Sequence, residues 1–327
     1  MPAIITHDTF GHETYDELQD FIGSSEDEKD AFILGNQGPD PLFYSVVSPR
    51  LRAVHKLGGR MHHERPSELL LAFKQSLDVL EDNEREIGRA YILGFLCHYL
   101  LDSTMHPFVY WQEYSLCDAG VEGLDRNDGN EVHAVIESEL DELVLFEKRH
   151  LTVADFDTAR EILKASIHTL DVISKMYVYV AENLFELSIP KDTFRASVLR
   201  FRGVQALFHS KDGVKRELIS RAEERVRRHS FYRAMSHRAV ELKLSDFDNH
   251  EHKTWENPFT QEKTSDSFWD RYEAARKRTQ NELEVFAGTD FDIEAAEGIT
   301  HGLDFSGEPV YARIVAVEEA EAETDAD

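Results

Sequence analysis

The chain has 327 residues, 41% of them hydrophobic, enough to bury a sizeable core. Its 36 Lys and Arg against 63 Asp and Glu leave a formal charge of −27, which repels a nucleic-acid backbone and argues against stable nucleic-acid binding. No run approaches the roughly 18 apolar residues of a membrane span, the start MPAIITHDTF lacks the basic and apolar regions of a signal peptide, and Cys97 and Cys117 are too few for a disulfide framework. The expectation is a cytoplasmic protein with reduced thiols.

Three polar motifs come first in the chain: THDTFG with His7, LGNQGPDPLFYS with Asp40, and RMHHERP with His62 and His63. After them apolar residues recur at three-and-four spacing in window after window, whereas strand-like alternation is rare, so the fold class is all-α, a multi-helix bundle. RPSELLLAFKQSLDVLED opens on Pro66-Ser67, with Ser67 as the expected N-cap, and aligns Leu69, Leu70, Phe73, Leu77 and Leu80. The next helix contains GFLCHYLLDSTMHPF and is expected to end at Pro107. NEVHAVIESELDELVLFEK follows a Gly/Asp/Asn loop and carries a stripe of Val132, Ile136, Leu140 and Leu143. A long helix is expected from Asp157 to Phe185, then helices near 191–210, 214–243 and 265–286.

Between the last two, LSDFDNHEHKTWENPFTQEKTSDSFWD reads as a long loop; its Phe247, His250, His252, Trp255 and Phe259 wall a substrate pocket or clamp the bundle. The basic stretch 215–233 puts Arg221, Arg225 and Arg228 on one face, for transient contact with a membrane surface or, given Glu217, Glu223 and Glu224, as an ordinary solvated face. The chain divides into one domain over 1–300 and a C-terminal extension, 301–327, whose six-acid tail 317–327 is expected to be disordered.

Chemistry concentrates in two helices. His98 and Asp102, and His133 and Glu137, are each four residues apart, so each pair projects from one helix face and can converge on an ion; His106 lies one turn beyond Asp102. Imidazole and carboxylate suit Zn²⁺, and helical bundles build metal sites from such inward pairs. Taken singly, each pair reads as well as a locally satisfied histidine beside a solvated carboxylate.

Together with His7, Asp40 and His62, the set resembles the zinc-dependent phospholipase C family, within the phospholipase C and P1 nuclease superfamily, over a little under half of the chain. The resemblance implies two or three zinc ions: one held by Asp40, His62, His98 and Asp102, a second by Asp102 and His7, a third by His106, His133 and Glu137. His62 fits the family pattern better than His63, and His12 and His55 have no family position. Secreted relatives use an N-terminal tryptophan on the second zinc, whereas this chain begins Met1-Pro2; removal of Met1 would offer the Pro2 amine and carbonyl instead. The implied activity is hydrolysis of a phosphodiester by metal-activated water, with Asp40 as ligand and catalytic base and a lipid-like phosphoester as substrate. Alternatives are a nuclease or nucleotidase on the same scaffold and a non-catalytic metal-binding protein. Oligomeric state is left open by the sequence.

Overall fold

The computed structural model describes residues 3–44, 52–120, 124–209 and 236–310, with the single positions 211, 213, 217, 220 and 232. Among these residues there are eleven α-helices and two short strands, as the all-α reading requires. In chain order the helices are α1 (Ile4–Ile22), α2 (Glu26–Gly35), α3 (Arg52–His63), α4 (Pro66–Gln75), α5 (Arg85–Cys117), α6 (Gly129–Arg149), α7 (Thr158–Glu161), α8 (Ile167–Phe185), α9 (Thr193–Phe208), α10 (Phe268–Ala287) and α11 (Ile293–Thr300). The strands, β1 (Trp255–Glu256) and β2 (Lys263–Thr264), pair antiparallel within the long loop before α10. No helix among the described residues is long and apolar enough to cross a membrane.

The axis of the bundle is α5, 33 residues and so about 50 Å long. It is apolar nearly all round, with Leu93, Phe95, Leu96, Leu100 and Phe108 fully buried or nearly so, which is what a central helix needs. α2 lies against it closely enough for backbones to touch: a Cβ on Gly94 would stand 2.0 Å from Phe32 O, and one on Gly35 would stand 2.3 Å from Tyr91 O. These glycines bring the turn that follows α2, and Asp40 with it, up to His98. α6, α8 and α10 cover other parts of α5.

Several expectations are corrected. α5 does not end at Pro107; it runs on to Cys117. Proline removes only one helical donor, and α10 supports the turn from outside, its Arg271 guanidinium donating to Thr104 O. The long helix expected over 157–185 is two: Asp157 caps α7, Leu163 turns left-handed at φ 60°, and Ser166 starts α8 afresh by accepting from Thr169 N. Pro66, not Ser67, opens α4 from the N1 position, and the Ser67 hydroxyl instead meets Thr300 Oγ1 at 2.6 Å. α1, α2 and α3 have no counterpart in the expected helices. In α1 the buried face itself carries Thr6, His7, Asp8 and Thr9, which hides the hydrophobic period.

Of the helix expected over 214–243, residues 217, 220 and 232 are helical and 236–243 are not. Arg221, Arg225 and Arg228 lie outside the described residues, as does the tail 317–327. Within the described part of the expected extension, 301–310, Asp304, Phe305 and Ser306 are buried while His301 and Gly302 are exposed.

Filling the α2–α5 contact tests the axis. Gly94→Val forces two backbones apart and should cost at least about 2 kcal/mol of stability in chemical denaturation; an unchanged midpoint and slope would show that the helices do not need this approach.

Candidate metal centre

Helix geometry places most of the polar side chains and one turn places another. His98, Asp102 and His106 descend one face of α5, His133 and Glu137 one face of α6, His7 comes from α1 and His62 from the last turn of α3. Asp40 opens a 3₁₀ turn just after Gly38, whose left-handed φ of 49° lets the chain pass over His98; a Cβ there would fall 2.2 Å from the His98 ring.

These residues gather into three groups, His7–His98–Asp102, Asp40–His62–His98 and His106–His133–Glu137, with the ligand atoms of each group within 4.8 Å of one another. His98 belongs to the first two. Asp102 reaches further still: its Oδ1 is 3.0 Å from His7 Nε2 and 3.9 Å from His106 Nδ1, and its Oδ2 is 3.2 Å from His98 Nε2. Asp40 Oδ1 lies 3.1 Å from His62 Nε2 and 3.8 Å from His98 Nε2. In the third group Glu137 Oε1 stands 3.4 Å from His106 Nε2 and 3.3 Å from His133 Nε2.

The other ring nitrogen decides what these approaches mean. His62 Nδ1 faces Gly58 O at 2.7 Å, His98 Nδ1 faces Asn36 O at 3.1 Å, His106 Nδ1 faces Phe305 O at 2.7 Å, and His133 Nδ1 faces a Glu113 carboxylate oxygen at 2.9 Å. The carbonyls and the carboxylate only accept, so they favour a proton on Nδ1, also at His98, whose Nδ1 lies 3.2 Å from His7 Nδ1 as well; in the neutral ring Nε2 is then left as a lone pair. That lone pair points at a carboxylate. Two acceptors facing each other repel unless a proton or a cation lies between them. His98 shows it best: the side chain is fully buried, and Nε2 makes no hydrogen bond despite two carboxylates nearby. A donor set of imidazoles and carboxylates, with thiols absent, fits Zn²⁺, and acceptors behind the imidazoles are the usual support of zinc-binding histidines.

Without metal, protons take up the mismatch unevenly. Burial pushes His98 down to about 4, more than Asp102 lifts it. His106 goes the other way: burial opposes protonation, but Asp102, Glu137 and the Phe305 carbonyl raise it to about 10. His7 and His133 are also raised against burial, chiefly by Asp102 and by Glu137 respectively. Asp102 is held well below the carboxylate range by His98, His106 and His7 in spite of its burial.

The structure therefore brings together His7, Asp40, His62, His98, Asp102, His106, His133 and Glu137. Pro2 lies outside the described residues. His63 turns away to Asp304, at 2.9 Å, while His12 sits 3.8 Å from Asp8 and His55 faces Phe43 O at 3.1 Å. The loop before α10 acts mainly as a clamp: Trp255 is buried against Phe108 and Trp111 and donates Nε1–H to Asp266 O. Phe259 alone of its aromatic residues touches the site's edge, packing on Tyr110, which packs on His133. His250 pairs with Asp248 and His252 faces Ser265 O, so neither joins a group. A small cavity opens among His7, Asp102, His106, Glu137, Met105 and Phe268, while a larger hollow of about 500 Å³ between Trp111 and Lys253 contains none of the three groups.

Glu113 is the residue that sequence reading missed. It lies seven positions beyond His106 on α5, 20° short of two full turns, and so shares the ligand face. Asp141, one turn past Glu137, was missed too. Fully buried, it accepts from Ile5 N, Thr6 N, Thr6 Oγ1 and His237 Nε2, which ties α1, and His7 with it, to α6.

A family model described as zinc-dependent phospholipase C matches residues 6–183. No curated protein and no solved structure matches the chain.

The raised histidines give the pH dependence of metal uptake. A ring that holds its proton up to about pH 10 must release it to ligate, so zinc binding at pH 8 should expel at least one proton, from His106, and tighten as pH rises. Calorimetric titration in buffers of different ionisation enthalpy measures this directly; a binding heat independent of buffer would contradict it.

Proposed function

This chain belongs to the zinc-dependent phospholipase C family, and on that footing we propose that it hydrolyses a phosphodiester, a phospholipid being the favoured substrate class, with zinc held by the three groups. The observation that carries the reading is the set of tautomer-fixed imidazoles whose Nε2 atoms face buried carboxylates. Asp40, His62, His98 and Asp102 are the proposed ligands of one ion, Asp102 and His7 of a second with Pro2 as the remaining candidate, and His106, His133 and Glu137 of the third. When bound, zinc supplies Lewis acidity, neutralising phosphoryl oxygens and making water acidic enough to attack at neutral pH.

The chain's own residues do the rest. Asp102 sets the spacing between the groups, because one short carboxylate addresses His7, His98 and His106 together. Asp40, on a turn at the edge of the cluster, is the proposed acceptor for the proton of the attacking water. Phe43 and Phe305 each pack 5.0 Å from the His62 ring, and Tyr110 packs 4.9 Å from His133. These rings cover His62 and His133, and the water they displace would otherwise weaken the electrostatics there. A chain of −27 needs such a local concentration of cations to receive an anionic phosphoester, and the same charge disfavours a long nucleic acid over a lipid.

Parallel assays on short-chain phosphatidylcholine, single-stranded DNA and an aryl phosphodiester test the reading. Turnover should be greatest on the lipid and should vanish with EDTA; preference for DNA would mark a nuclease, and stoichiometric zinc without turnover a binding protein. Asp102→Asn should lower activity by more than about 100-fold and disturb two ions, whereas His106→Ala should disturb one, both counted by metal analysis. Equal metal counts in both variants and the parent would reject the ligand assignment.

A further inference from the structure

We propose that residues 304–307, far outside the matched segment 6–183, form a positioning clip that presents His106 to its metal. This rests on the ligand assignment above and adds to it a part that the family match does not reach.

The clip is a tight turn built around one buried carboxylate. Asp304 Oδ1 accepts from Ser306 N at 2.8 Å and Glu308 N at 3.1 Å, and Gly307 N donates back to Asp304 O at 2.9 Å. The second oxygen, Oδ2, takes His63 Nδ1, fastening the turn to the end of α3. Two further main-chain anchors hold it: Phe305 N donates to His62 O at 3.0 Å, and the Tyr99 hydroxyl lies 2.8 Å from Leu303 O.

Held in this way, the turn presents two features to the site. The Phe305 ring wedges against His62, His98 and Tyr99, at 5.0, 5.7 and 5.0 Å between centroids. The Phe305 carbonyl meets His106 Nδ1 at 2.7 Å across 199 residues of sequence. That carbonyl does for His106 what the Glu113 carboxylate does for His133: it fixes the proton on Nδ1 and leaves Nε2 facing Glu137.

The fit to α5 is close, and it falls beside the ligand. Gly307 has φ 71°, and a Cβ there would lie 2.7 Å from both Pro107 Cγ and Ser103 O. Pro107 is the residue after His106, and by lacking an N–H it leaves Ser103 O without its usual helical donor. A side chain at 307 would therefore push the turn off the helix at the point where the carbonyl serves His106.

Gly307→Val in the full chain is the test, with Gly307→Ala as the milder variant should valine prevent folding. Zinc titration is read with the absorption spectrum of the cobalt(II)-substituted protein, so that the result does not depend on turnover. The variant should bind one ion, that of the His106–His133–Glu137 group, about 10- to 100-fold less tightly while keeping the others, and in a His106→Ala background it should cause no further loss. Folded Gly307 variants that bind zinc like the parent would overturn the clip. So would a loss of the same size with and without His106, which marks general loosening of the fold. A His106→Ala protein with the parent's full zinc content would instead overturn the ligand assignment, and the clip with it.

Discussion

Acceptors that face acceptors in a buried space set the terms for the rest of this protein. Among the described residues Asp40 and Asp102 look onto histidine rings, and the His62 and His98 rings turn their other nitrogen to the Gly58 and Asn36 carbonyls. Water is largely excluded, so the repulsion between lone pairs is not screened. Something positive has to occupy the gap, and whichever cation does so becomes part of the folded state's electrostatics. The uneven protonation of the metal-free site, with His98 stripped and His106 loaded, is the same constraint expressed with protons in place of metal.

Such an arrangement holds only if the scaffold is stiff. The glycine contact between α2 and α5, the left-handed turn at Gly38 before Asp40 and the Asp141 tie between α1 and α6 each remove one way for the acceptors to drift apart. Much of this support is main chain. Carbonyls at Asn36, Gly58 and Phe305 hold three of the imidazoles, and they come from three different parts of the chain. The site is thus distributed over the fold, even though its ligands read as short motifs.

That difference explains what was legible in the sequence. The pairs His98–Asp102 and His133–Glu137 are local and helical, so periodicity alone exposed them. Asp40 and His62 were visible only through their motifs, because nothing in spacing joins a turn at 40 to a helix at 62. The carbonyl partners were invisible in principle, since every residue has a carbonyl and no residue type marks its direction. Glu113 had a signal, its place on the ligand face of α5, but the expected stop at Pro107 cut the helix before reaching it. The break at 162–166 was hidden for the opposite reason: apolar spacing continues through it, and only the cap at Ser166 and the left-handed Leu163 divide the two helices.

The central helix also acts as a ruler. His98, Asp102, His106 and Glu113 are fixed relative to one another by rise and rotation along a single element, with no loop between them to absorb an error. Gain or loss of one residue anywhere in that stretch would swing everything beyond it by about 100° and empty the groups on one side of the change together. Between the helices the chain can lengthen at little cost. Natural variation in length should accordingly accumulate in the connections, while the sixteen-residue interval from His98 to Glu113 keeps its count even where its apolar residues change.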